Sequence, residues 1–246
     1  MTKPTNLSQK VISDIAELRE NDKFTDLTIT HDSRAFSVHR IIVCAQSKVL
    51  YKACDGGFKE QFEGVIDMGH VPYRLLERLI SFFYNMEYDE APADSSSEST
   101  LQLHAQMFAL ADEYDIPELL LRAERKYWER CIKAWDSLEF LLSVPVVFEA
   151  TPGSLLGLRQ AACVAVRRYL PGMLEDAIVA KSFEKTLREN PAFAKRLLES
   201  YIETPLFGYC QTCRSDHAME PLQTRCQKCN KGQGGLLSHW HSTSQL

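Results

Sequence analysis

A chain of 246 residues with 45% hydrophobic and 25% charged residues has the composition of a folded globular protein. Its formal net charge of −5 argues against nucleic acid as a partner, since proteins that bind nucleic acid are usually basic. The N-terminus lacks the apolar core of a signal peptide, and the longest apolar run, Phe140 to Phe148, is far shorter than the roughly 20 residues of a membrane helix. We therefore expect an intracellular protein, cytoplasmic or nuclear, without a membrane segment.

Hydrophobic periodicity predicts how the chain begins. Apolar residues at helical spacing predict a helix over residues 7–20. Alternating apolar and polar residues then predict two strands, over residues 27–30 and 35–38, joined by a turn at residues 31–34. The period changes again at Ile41, where a helix is expected to start.

The following stretch alternates short helices with one more strand. Residues 48–54 are predicted to be helical, and Phe58 to Gly64 is predicted to be a charged loop. Val65 to Met68 fits a third strand, and Pro72 suits the first turn of the next helix. The polar stretch from Ala91 to Thr100 is predicted to be an elongated loop within the domain.

The residues from Phe24 to Ser47, FTDLTITHDSRAFSVHRIIVCAQS, resemble the start of a BTB/POZ domain. The helix pair around Asp115-Ile116-Pro117, written A..YDIPEL...AE, matches the same family, and the resemblance covers about residues 20 to 133. It implies an α+β, mostly helical fold in which a small sheet packs with helical hairpins. In many animal members a leading helix builds the dimer interface, so the resemblance implies a homodimer. We assign residues 1–134 to this domain and its leading helix.

Residues 135–205 are predicted to form an α-helical extension. Pro171-Gly172 is expected to end one of its helices, and Asn190-Pro191 to separate two others. The sequences VPVVFEATP and FEKTLRENPAFAKRLLESYIE are similar to the helical tail of many fungal BTB proteins.

The eight cysteines fall into two groups of four. Four stand singly within helical patterns, where cysteine usually acts as a small apolar core residue; they are Cys44, Cys54, Cys131 and Cys163. The other four form two C-x2-C pairs separated by twelve residues; they are Cys210, Cys213, Cys226 and Cys229. This spacing predicts a structural zinc site with four thiolate ligands in a zinc-ribbon-like segment and flexible tail, residues 206–246.

Three other interpretations of the cysteine pairs stay open. Either pair fits a redox-active C-x-x-C motif, although no βαβ pattern surrounds it. Two disulfides would suit a secreted chain. A histidine also fits as a replacement ligand for one cysteine, with His217, His239 and His241 as candidates.

No catalytic pattern stands out in the chain. The sequence has no glycine-rich phosphate loop, no G-x-S-x-G and no H-E-x-x-H motif. The histidines His31, His39, His70 and His104 are isolated and fit structural roles. We therefore predict a non-enzymatic protein.

The resemblance implies a protein-interaction adaptor. Related BTB domains self-associate, and some dock a cullin scaffold to recruit targets for ubiquitination. Cullin-binding members often carry a hydrophobic-x-Glu motif before the third strand, which Phe58, Lys59 and Glu60 match here. The alternative, that Phe58 packs on its own domain and Glu60 is solvated, is equally compatible with so short a motif. The target that such an adaptor would recruit is not named by the sequence.

The rival hypothesis is a self-associating scaffold or transcription-related regulator without cullin binding. In several BTB transcription factors an Asp at the strand start and an Arg after the His form a charged pocket at the dimer interface. Asp26 and Arg40 match those positions, and a cap on the backbone by Asp26 is the structural alternative. The zinc segment fits either a partner-binding module or a clip that stabilises the C-terminus.

Overall fold

The computed structural model describes residues 7–57, 59–90, 99–149, 156–203, 206–210, 212–219 and 229. These residues form a mostly helical chain with one small mixed sheet, which confirms the predicted α+β class. No helix among them is long and apolar enough to cross a membrane. In chain order the elements are α1 (Leu7–Glu20), β1 (Leu27–His31), β2 (Arg34–Val38), α2 (Arg40–Gln46), α3 (Lys48–Asp55), α4 (Lys59–Glu63), β3 (Val65–Asp67), α5 (Tyr73–Asn85), α6 (Thr100–Glu113), α7 (Pro117–Lys133), α8 (Ser137–Glu149), α9 (Leu156–Glu175), α10 (Ala177–Glu189), α11 (Pro191–Glu203), β4 (Leu206–Cys210) and β5 (Ser215–Met219).

The three-stranded sheet has the order β2-β1-β3, with β1 in the centre. β1 and β2 form the predicted antiparallel hairpin, and Asp32 takes the left-handed conformation, with φ of 49°, that the tight turn requires. β3 pairs with β1 in parallel, so that Ile29 lies opposite Ile66. Both isoleucines are buried, which is the expected result of the alternating pattern.

The helix pair α6–α7 forms the centre of the helical part. A capping box starts α6, in which the Ser99 hydroxyl accepts the Gln102 N–H and the Gln102 side chain accepts the Ser99 N–H. The predicted joint to α7 is tight, because Asp115 is left-handed and Pro117 occupies the first turn of α7. Most apolar residues of α6 are buried, which makes it a core helix.

The prediction of a charged loop from Phe58 to Gly64 is wrong over Lys59–Glu63, which form the short helix α4. The Gln61 side chain reaches back and accepts the Gly57 N–H at 2.8 Å, satisfying a donor just before the helix. The Gly64 N–H donates to the Glu60 carbonyl at 3.0 Å and closes the turn. The charged composition of residues 58–64 did not indicate these two hydrogen bonds, on which the helical turn depends.

The prediction that Pro171-Gly172 ends a helix is also wrong, because α9 continues to Glu175. Proline removes one backbone donor and crowds the preceding turn, so tertiary contacts must compensate. Leu170 and Met173, on either side of this position, are buried in the core. Their packing outweighs the local cost of the proline.

The core is continuous from the sheet into the helical extension. Two hydrogen bonds join the parts before and after residue 134, and an aromatic stack lies next to them within the extension. The Tyr127 hydroxyl bonds to the Ser143 hydroxyl at 2.9 Å inside the core, and Trp135 stacks on Tyr169 with ring centroids 4.2 Å apart. Glu139, at the start of α8, accepts the Leu101 N–H at 3.0 Å with one carboxylate oxygen.

The other carboxylate oxygen of Glu139 accepts two hydrogen bonds from the Arg130 guanidinium, at 2.9 and 3.1 Å. The Glu139 side chain is only 11% exposed, whereas the Arg130 side chain is 38% exposed, so the carboxylate is the shielded partner of this pair. A single carboxylate therefore connects α6, α7 and α8.

We expect Glu139→Ala to lower the free energy of unfolding by about 1–3 kcal/mol, because it leaves the partly exposed Arg130 guanidinium and the backbone N–H of the buried Leu101 without their acceptor. Glu129→Ala is the matched control, since Glu129 also pairs with basic side chains on α7 but is more exposed. Urea denaturation of both variants measures the difference. Equal stability of the two variants would refute the role given to Glu139.

Candidate interaction surfaces

The leading helix α1 leaves much of its apolar side uncovered. None of its described side chains, at residues 10–20, is fully buried. Ile15 and Ala16 pack partly against the core, while Val11, Ile12 and Leu18 are exposed. A helix with an apolar stripe of this kind normally buries it against another element.

A buried histidine fixes the chain that follows α1. The His39 ring donates through Nε2–H to the Lys23 carbonyl at 2.9 Å, which leaves Nδ1 as an acceptor. The Tyr84 hydroxyl lies 3.0 Å from Nδ1 and accepts the His39 backbone N–H at 2.8 Å. The Arg19 guanidinium lies 5.2 Å from the centre of the Tyr84 ring. This cluster connects α1, the start of α2 and α5.

Asp26 and Arg40, the residues of the predicted charged pocket, are in contact within the single chain. Asp26 Oδ1 accepts the backbone N–H of Arg40, the first residue of α2, at 2.7 Å. Since the N-cap residue His39 makes no side-chain cap, Asp26 takes over that function from a distance. The contact thus uses the Arg40 backbone rather than a charge pair, and Asp26 is exposed in the single chain.

Two large apolar side chains lie beside this contact. Phe24 is 82% exposed and takes the left-handed conformation, and Ile41 is 76% exposed. Phe24 follows Lys23, whose carbonyl accepts the hydrogen bond from His39, and Ile41 follows Arg40, whose N–H donates to Asp26. Both side chains therefore lie at the end of the sheet near α1. Ile41 and Ile42 are neighbours in a helix, and neighbouring helix positions do not share one face. When one of the two packs against the domain, the other is therefore expected to be exposed. We define the self-association surface as Val11, Ile12, Leu18, Phe24 and Ile41.

The second surface lies on α4. Phe58 falls outside the described residues, whereas Lys59 is exposed and Glu60 is partly buried in the first turn of α4. Phe62, which sequence reasoning overlooked, is 79% exposed on the same helix. The sequence offered one indication of Phe62 as a candidate, namely that aromatic residues stand four positions apart, at 58 and 62.

The neighbouring helix α3 also has two exposed side chains, Val49 and Tyr51. Gly57 and Gly64 flank α4 and both take positive φ, 77° and 66°, which favours glycine at these two positions. We define the docking surface as the side chains of Lys59, Glu60 and Phe62 on α4.

The four clustered cysteines lie at the end of the chain. β4 and β5 pair antiparallel, with Cys210 opposite Ser215, and Cys213 lies partly buried in the turn between them. Cys229 is a partly buried turn residue. The side chain of Cys210 and the whole of Cys226 lie outside the described residues.

The four histidines whose side chains the structure describes all have structural hydrogen bonds. His31 bonds to the Val71 carbonyl and His70 to the Tyr114 hydroxyl. His104 is buried and bonds through Nδ1 to the Tyr88 hydroxyl at 2.9 Å. Burial lowers the pKa of His104 to about 4, so its imidazole is neutral near neutral pH. These contacts explain the histidines without any catalytic role.

The family comparison matches residues 15–128 to the BTB/POZ domain. Residues 15–128 form a BTB/POZ domain. This interval contains the last six residues of α1, the three-stranded sheet and helices α2 to α6, together with most of α7. Both candidate surfaces therefore belong mainly to the BTB/POZ domain, and helices α8 to α11 follow it.

Similar proteins share only part of the chain. Kelch-like protein 26 of Mus musculus is 30% identical over 80 residues, which are 32% of this chain and 13% of that protein. Kelch-like protein 26 of Homo sapiens is 29% identical over 80 residues, which are likewise 32% of this chain and 13% of that protein. The match thus spans a small part of these relatives. Among solved structures, the BTB domain of zebrafish PATZ1 aligns with a TM-score of 0.40 and 11% identity, covering 51% of this chain and 94% of that one.

The low pKa of His104 predicts that stability falls with acidification. The unfolded chain takes up this proton near its ordinary pKa of 6.5, while the folded chain takes it up only near pH 4. The free energy of unfolding should therefore fall between about pH 7 and pH 4, by at most about 1.4 kcal/mol per pH unit from this group. His104→Asn should reduce the pH slope, as measured by urea denaturation at several pH values.

His70→Asn is the control for that experiment, since the His70 side chain is 59% exposed. It should keep the slope of the unmodified chain. An unchanged slope in His104→Asn would show that other groups cause the pH dependence.

Proposed function

We propose that this chain is a non-enzymatic protein-interaction adaptor that self-associates through its BTB/POZ domain and recruits targets to a cullin-based ubiquitin ligase. The observation that carries this proposal is the exposed apolar side of α1, continued by Phe24 and Ile41. An exposed apolar patch of this kind marks an interaction site on a soluble domain.

Self-association explains why the apolar side of α1 is left open by its own chain. In a two-fold symmetric dimer the same surface is used by both copies, so each α1 would help to cover the other. The tight cluster of His39, Tyr84 and Lys23 supports this role, because it presents the end of α1 in a fixed position before association.

The docking surface supports the second half of the proposal. Phe62 presents a large aromatic side chain to solvent beside the charged Lys59 and Glu60. Aromatic side chains that fill a partner's pocket often carry most of the binding energy. Lys59 and Glu60, two residues of the motif that resembles that of cullin-binding members, lie on the same short helix as Phe62 and thus belong to one candidate site with it.

We expect the double variant Ile12→Lys/Phe24→Lys to weaken self-association at least about tenfold, because each lysine would have to be desolvated at the interface. Size-exclusion chromatography with light scattering over a range of concentrations measures this. Ile202→Lys is the matched control, since Ile202 is equally exposed but lies on α11. A monomeric unmodified chain at high micromolar concentration would refute self-association.

Asp26→Asn isolates the contribution of charge in the same assay. Asparagine keeps an oxygen acceptor for the Arg40 N–H, so the cap of α2 is preserved while the charge is removed. Weaker association in this variant would support a charged pocket formed by Asp26 and Arg40. Unchanged association would leave Asp26 as a helix cap only.

If the chain is a cullin adaptor, a purified cullin N-terminal domain should bind the unmodified chain. Phe58→Ala and Phe62→Ala should each weaken this binding about tenfold or more. Biolayer interferometry provides the affinities, and Ile178→Ala, at an exposed apolar position on α10, is the matched control. If self-association is present but no cullin binding is detected at high micromolar concentration, the alternative of a scaffold or transcription-related regulator replaces the cullin adaptor.

A further inference from the structure

We infer that the end of this chain binds one zinc ion through the thiolates of Cys210, Cys213, Cys226 and Cys229, and that the ion stabilises the β4–β5 hairpin. This site lies outside the BTB/POZ domain, which ends at residue 128. The inference begins with the two C-x2-C pairs, since residues three apart in a tight turn can bind the same ion.

The β4–β5 hairpin supplies such a turn for the first pair. Cys210 is the last residue of β4 and lies opposite Ser215, the first residue of β5. Cys213 therefore lies within the connection, at the same end of the hairpin as Cys210. The next residue, Arg214, is left-handed with φ of 52°, an uncommon conformation for a residue with a side chain. The chain thus bends sharply just after the second cysteine, as it must to wrap around a bound ion.

The hairpin needs support of this kind. β4 and β5 form a sheet of only two strands, which is marginally stable in water on its own. The segment is too short to build an apolar core, and small domains of this size commonly depend on a metal or on disulfides. Cys229, ten residues after the end of β5, is partly buried in a turn and would bring the second pair to the same ion.

Charge also favours the site. Four thiols that bind one Zn²⁺ release four protons to solvent, and the resulting centre carries a formal charge of −2. Basic residues stand next to three of the four cysteines: Arg214 follows Cys213, Arg225 precedes Cys226 and Lys228 precedes Cys229. A negative centre is stabilised by neighbouring positive side chains. These three basic side chains thus have a local use that does not involve nucleic acid.

Disulfides explain the cluster less well. The remaining four cysteines, spread over α2, α3, α7 and α9, are all free thiols. A chain that keeps four free thiols fits a reducing environment, in which paired cysteines more often bind metal. Among the metals held by four thiolates, zinc suits a closed structural site, and iron is the competing ion.

The test measures metal in the full chain, purified with reductant and without chelator, by inductively coupled plasma mass spectrometry. We expect one zinc per chain, and a loss of at least about fivefold in Cys213→Ser and in Cys226→Ser, because three thiolates bind more weakly than four. Cys44→Ser is the control and should keep its zinc. The absence of metal, iron in place of zinc, or unchanged zinc in both variants would overturn the inference.

Two further measurements keep the test decisive if a variant fails to fold. Removing zinc from the unmodified chain with a chelator should increase amide hydrogen exchange in residues 206–219 and leave exchange in α5 to α9 unchanged; no change in the hairpin would overturn the folding role. Cobalt substitution then identifies the ligands, since His217→Asn should keep the thiolate-to-cobalt absorption and Cys229→Ser should weaken it. The reverse result would overturn the four-thiolate assignment.

Discussion

The hydrogen bonds between His39 and Tyr84 fix how the first part of the molecule is put together. One tyrosine hydroxyl engages both the backbone and the ring of His39, and the other side of that ring holds the carbonyl of Lys23. The end of α1, the start of α2 and the helix α5 therefore meet at one buried point. The placement of Phe24 and Asp26, which directly follow Lys23, depends on that point.

The two candidate surfaces are built in different ways. The self-association surface consists of apolar residues that remain exposed after α1 has packed as far as its own chain allows. The docking surface depends on a five-residue helix between Gly57 and Gly64, both left-handed. A substitution at either glycine would alter the orientation of α4 without removing any side chain that contacts a partner.

Much of the fold could be predicted because its signals are local. Alternation over β1 and β2, helical spacing over residues 7–20 and the Pro117 joint are each encoded within a few residues, and the structure agrees with all three. The continuation of α9 past Pro171 could not be predicted in this way, because buried packing of Leu170 and Met173 decides it. Likewise, the resemblance named Asp26 and Arg40 only as a possible charged pocket, and the contact of Asp26 with the Arg40 backbone depends on the exact path of the chain.

Sequence patterns did not establish that Phe24 and Phe62 are exposed, since the spacing of residues 58 and 62 indicates only that these two positions would share one face of a helix. An aromatic residue next to a turn is as compatible with burial as with exposure, and only the packing of neighbouring elements distinguishes the two. Both side chains extend into solvent at places where a hydrogen-bonded cap fixes the backbone nearby, through Asp26 in one case and Gln61 in the other.

The shared carboxylate of Glu139 has a mechanical consequence. Because it holds α6, α7 and α8 at once, and because Trp135 stacks on Tyr169 just beside it, the extension has no free hinge at the point where it leaves the BTB/POZ domain. The two parts should tumble as one body in solution. The side chains of α9 to α11 would then be held at a constant distance and angle from the sheet of the BTB/POZ domain.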